Sequence, residues 1–166
     1  MTIAETLLPE FDQEMATTRR LIERVPTEKG DFKPHEKSFS LAHLTQLVAT
    51  MPGWITGTVN GDHIDLTEGG GYKNQSTQSL LAQFDKHVAE ARAAIAGAGD
   101  DVFAEPWSLK MGEQVLFTLP KGVVTRQTIN HLVHHRGQLT VYLRMVDVPL
   151  PSIYGPTADE GWDKIG

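Results

Sequence analysis

Apolar residues recur at helical spacing over four long stretches of this chain. In the first, Leu8, Phe11, Met15, Ile22 and Val25 alternate by threes and fours, with Thr18 filling the polar gap. That spacing lays one apolar stripe along a helix. Glu10, Asp12, Glu14, Arg19, Arg20 and Glu23 occupy the remaining faces, and Pro26 marks the stop. A charged loop, TEKGDFKPHEKS, follows. Ser38 or Ser40 then supplies the cap of a second helix that begins SLAHLTQLVATMPGWITGTV. Pro52 inside it removes a hydrogen bond and crowds the preceding turn, which predicts a kink or short break near Met51-Pro52-Gly53.

Residues 61–76, with Gly69-Gly70-Gly71, read as loop. The glycine run lacks the strand and the Lys-Ser/Thr ending of a phosphate loop. A third helix opens at Ser76 or Thr77 and runs to about Ala96. Its apolar face is Leu80, Leu81, Phe84, Val88, Ala91 and Ile95, and Gly97-Ala98-Gly99-Asp100 ends it. Residues 107–120, WSLKMGEQVLFTLP, alternate weakly and read as an extended arm with a hairpin around Gly112. The last long helix spans Val123 to Val146. The tail after it carries Pro149, Pro151 and Pro156 and is predicted to lie irregularly along the body. With no repeat and no linker, residues 1–166 read as one domain. The fold class predicted is all-α: an antiparallel four-helix bundle with a long crossover and a short extended arm before the last long helix.

Composition narrows the chemistry. The chain has no cysteine, so a metal could sit only on histidine nitrogen or carboxylate oxygen. Its net charge of -6 argues against nucleic-acid partners, which require Lys and Arg to neutralise phosphates. The N-terminal residues do not resemble a secretory signal, and no apolar stretch is long enough to span a bilayer. The expectation is a cytoplasmic protein without membrane or nucleic-acid partners.

The candidate chemistry lies in NHLVHHRGQL, residues 130–139. On a helix, His131 and His135 project from one face, one turn apart, and Gln138 and Tyr142 continue that face. Two such imidazoles are compatible with a shared divalent ion, and equally with polar residues lining a helix seam. No Glu follows the first histidine, so the metalloprotease pattern fails. His134 points about a sixth of a turn aside and reads as a packing residue. Arg136 lies off the His131/His135 line and is expected to pair with a carboxylate elsewhere. On the second helix His43 shares a face with Leu47, Thr50 and Trp54, and is the one histidine there able to face the last helix. His35 and His63 read as loop residues, and His87 as part of a solvated face.

Three stretches together resemble the DinB-like (damage-inducible) superfamily, which includes bacterial thiol-dependent S-transferases and is unrelated to the polymerase sharing the name. They are KPHEKSFSLAHLTQLVATMPGW (33–54), EPWSLKMGEQVLFTLPKGVVTRQTINHLVHHRGQLTVYLRM (105–145) and VPLPSIYGPTADE (148–160). The resemblance implies an antiparallel four-helix bundle, often a homodimer, with a three-histidine divalent-metal site near one end. Two of its ligands map onto His131 and His135. The third maps onto position 47, where this chain has Leu47. His43, one turn earlier and about 6 Å along the axis, is the replacement candidate.

Two functions follow as expectations. One is a metal-dependent enzyme, a hydrolase or thiol transferase. It would hold Zn, Ni, Fe or Mn on His131, His135 and His43, with Gln138 and Tyr142 orienting ligands or substrate, and could use a low-molecular-weight thiol as cofactor. The other is a metal-free bundle that binds a small molecule or acts as a dimeric interaction protein.

Overall fold

In the computed structural model, which describes residues 1–164, four long helices pack around one apolar core. Helix α1 (Ile3–Ile22) starts at a reciprocal cap: the Thr2 hydroxyl accepts from the Glu5 backbone N–H, and the Glu5 carboxylate accepts from that of Thr2. Helix α2 (Leu41–Asn60) is capped by Ser40. It runs through Pro52, so the expected break does not occur. A proline costs a helix about 3 kcal/mol. Burial of Val48, Ala49, Met51 and Ile55 around it, at about 1.5–3 kcal/mol for each large apolar side chain, outweighs that cost. Helix α3 (Thr77–Gly97) begins at the Ser76 cap. A short α4 (Asp100–Ala104), absent from the sequence reading, precedes the arm, and α5 (Lys121–Met145) follows it.

The all-α expectation is corrected by a three-stranded sheet. Strands β2 (Pro106–Met111) and β3 (Gln114–Pro120) form the expected hairpin, turning at Gly112 with φ 61°. A third strand, β1 (His63–Asp65), lies in the stretch read as loop and pairs in parallel with Ser108–Lys110. The order is β1-β2-β3, with Trp107 opposite Leu119 and Leu109 opposite Phe117. Three residues carry too little pattern to announce a strand. Their backbone groups pair because the helical frame brings a partner edge alongside.

Helices α2 and α5 run antiparallel, and three contacts set their register. The Tyr142 hydroxyl donates to the Phe39 carbonyl just before α2 (3.1 Å). Trp54 packs on His131, with ring centroids 6.0 Å apart. At the other end, the buried Lys121 ammonium donates to the Val59 carbonyl (3.2 Å) and pairs with Glu105 (2.7 Å). Helices α1 and α3 are joined by Arg19–Asp85 and Arg92–Asp12 ion pairs. The tail lies on the body as expected: Glu160 pairs with Arg20 and Arg24 of the α1 end, and Asp159 with Arg144. Residues 165 and 166 of the predicted tail lie outside the described residues. Among the described residues, no helix is long and apolar enough to cross a membrane.

Candidate site at the histidine pair

One turn of α5 brings His131 and His135 together, with their Nε2 atoms 2.9 Å apart. His135 is buried, and its Nδ1 lies 2.7 Å from Gln138 Oε1. An amide oxygen only accepts, so Nδ1 carries the proton and His135 turns a lone pair on Nε2 towards His131. Gln138 thus sets the tautomer of His135. His131 is the exposed partner. Partial desolvation, then the neighbouring His135 and His134, hold its pKa below the ordinary imidazole value. His134 meets the His135 ring edge-on at 5.1 Å.

His43 does not join the pair. Its ring is stacked between Phe39 (centroids 4.1 Å) and Tyr72 (3.6 Å), and desolvation lowers its pKa. The α2–α5 register explains this. Phe39 stands beside Tyr142 and Trp54 beside His131, so His135 faces the stretch of α2 between those contacts, and His43 lies towards the Tyr142 end of it. Leu47 is buried. Among the described residues, no group of three histidine or carboxylate side chains is placed to hold a metal. The donor set therefore does not fit the three-histidine centre that the resemblance implies: two nitrogens converge, and position 47, onto which the resemblance maps the third ligand, carries a buried leucine. The Tyr142 hydroxyl donates to the Phe39 carbonyl, and its ring lines a pocket with His135 and Gln138.

Arg136 finds the distant carboxylate expected of it. It is buried and pairs with Glu14 of α1 at 2.6 Å. It also donates to the Thr18 hydroxyl (3.2 Å) and to Tyr154 of the tail (2.9 Å), and the Tyr154 hydroxyl donates in turn to Glu14 (2.8 Å). This network anchors the face of α5 opposite the imidazoles.

The pair opens on a cavity of 430 Å³ between the sheet and the α2–α5 seam. Trp54 and His131 line its helical side, and Trp107 and Phe117 its sheet side. No Asp, Glu, Lys or Arg lines it. A second, more polar pocket of 400 Å³ lies behind His135 and is lined by Lys37, Gln138 and Tyr142 among others. Sequence reasoning missed Trp107 and Phe117 as site residues. The available signal was the period-two spacing of Trp107 and Leu109, and of Phe117 and Leu119, which gives the hairpin an apolar face.

A long-helix bundle with a hairpin arm and an imidazole pair beside a cavity defines the class of molecule. The family model for the DinB family matches residues 1–163, and the chain belongs to that family. The uncharacterized protein YrdA of Bacillus subtilis strain 168 is 44% identical over 93 residues, which is 56% of this chain and 44% of that protein. The match thus spans less than half of the curated relative. A crystal structure of the DinB-like protein YjoA from Bacillus subtilis superposes with a TM-score of 0.70 at 16% identity, covering 89% of this chain and 97% of that one. A DinB-like protein from Bacillus cereus ATCC 10987 gives a TM-score of 0.72 at 18% identity, covering 90% and 97%. At these identities the likeness shows the fold.

Proposed function

We propose that this chain is a small-molecule-binding member of the DinB family that works without a resident metal. Its ligand would occupy the cavity between the sheet and the α2–α5 seam, with His131 as the polar contact. The observation that carries this reading is the conjunction of a buried Leu47, where the resemblance implies the third ligand, with a 430 Å³ cavity opening on His131. That volume lies within the ordinary range of ligand pockets. The Gln138–His135–His131 chain holds the outermost imidazole in one orientation, which is what a group must have to receive a ligand's polar atom.

The experiment is a melting series of purified, untagged protein with a panel of small apolar compounds and, separately, with Zn, Ni, Mn and Fe salts. A ligand that binds only the folded state raises the melting temperature. The reading expects a rise with some of the compounds and none with the metals. A metal-dependent rise lost in His131→Ala would overturn it.

A second reading has one observation in its favour. Two nitrogens on one cation at about 2.0–2.1 Å each and near a right angle stand about 3 Å apart, close to the 2.9 Å seen here. The pair could then be two corners of a weak site completed by water or substrate. Calorimetric titration with Ni separates the readings: micromolar binding by the wild type would favour this second one.

A further inference from the structure

We infer that the cavity takes an uncharged, planar aromatic ligand. The inference rests on the cavity reading above and specifies what fills it. Four rings line the space in two pairs. Trp54 and His131 stand on adjoining helices with centroids 6.0 Å apart, and Trp107 and Phe117 on the two hairpin strands with centroids 6.2 Å apart. The pairs belong to opposite walls, helix on one side and sheet on the other.

Rings on two facing walls offer a flat aromatic guest edge and face contacts that an aliphatic chain cannot use. Trp107 is 3% exposed, so its wall is fixed by the core, whereas Phe117 is 38% exposed and stands nearer solvent. The cavity's polar groups carry no fixed charge: Thr58, Gln127, Thr128, His131 and the indole N–H groups of Trp54 and Trp107, the last buried without a partner. The Thr128 hydroxyl is already spent on the Val124 carbonyl (2.9 Å). A charged guest would lose its hydration without an opposite charge to replace it, which disfavours carboxylates and sulfonates. A hydroxyl or ring N–H on the guest has the remaining acceptor nitrogen of His131 as its partner.

Three probes test this in full-length protein by isothermal titration calorimetry: 2-naphthol, naphthalene-2-sulfonate and 1-octanol. The expected result is one-to-one binding of 2-naphthol, at least about tenfold tighter than either other probe, a difference of about 1.4 kcal/mol. Phe117→Leu keeps bulk and removes the ring. It should weaken 2-naphthol about fivefold and leave 1-octanol unchanged. Octanol binding as tightly as naphthol would overturn the aromatic assignment while leaving the cavity reading intact. Equal binding of the sulfonate would overturn the neutral assignment in the same way. Failure of all three probes to bind at millimolar concentration would overturn both this inference and the reading on which it rests. An unaffected 2-naphthol affinity in Phe117→Leu would also overturn it.

Discussion

His135 Nε2 stands 2.9 Å from His131 Nε2, while Leu47 of α2, where the family resemblance implies a third nitrogen, is buried and apolar. The two imidazoles already sit at a ligating separation, and Gln138 already orients one of them.

Restoring the third nitrogen should therefore create a metal site. Leu47→His is expected to melt lower than wild type without metal, because it places a polar ring in a buried apolar position. With excess Ni or Zn it should rise by several degrees, whereas wild type does not. Melting curves with and without the ion, and a stoichiometry by elemental analysis, check this. No gain in Leu47→His would mean that position 47 is not the missing corner.

The Arg136–Glu14 pair should be the most sensitive point away from the cavity. Removing one partner leaves a buried charge unpaired, at a cost of about 3–5 kcal/mol. Glu14→Ala and Arg136→Ala should each lose about that much in urea unfolding, and Arg136→Met combined with Glu14→Leu should recover most of it. Tyr154→Phe removes hydrogen bonds but no charge, and should cost about 1 kcal/mol.

Acid should loosen the tail first. The Ser152 backbone N–H, then Arg24 and Arg20, outweigh desolvation and hold the Glu160 carboxyl down at about 2, against an ordinary 4.5. A carboxylate with a depressed folded pKa stabilises the fold above its ordinary value. That contribution is lost as the pH falls from about 4.5 towards 2. Glu160→Gln should therefore be less stable than wild type at neutral pH, and the difference should shrink below pH about 4. Unfolding midpoints between neutrality and acid, with limited proteolysis of the tail, measure both effects.

Two glycines should respond in opposite directions. Gly137 lies inside α5 with open space where a Cβ would stand, so Gly137→Ala should stabilise by about 0.5–1 kcal/mol. Gly112 turns the hairpin at φ 61°, and Gly112→Ala should destabilise by about 1 kcal/mol. Paired melting measurements settle the signs.

Most of the frame was legible before any coordinates. The stripes of α1 and α3, the Ser76 cap and the hairpin at Gly112 all follow from patterns within a few residues of one another. The adjacency of His131 and His135, and the divergence of Arg136 from them, follow from 3.6 residues per turn. At Pro52 local strain alone pointed to a kink or short break, and with the burial around it the helix is unbroken there.

What the sequence determined by itself is the local geometry: which stretches coil, where they begin and which side chains share a helix face. Only the tertiary structure decided that β1 pairs with β2, that His43 stacks between Phe39 and Tyr72 rather than joining the pair, and that Trp54, His131, Trp107 and Phe117 wall one cavity. The physical reason is that these relationships join residues far apart in the chain. Their relative heights and facings are set by how the helices slide and rotate to bury their core, which no single segment encodes.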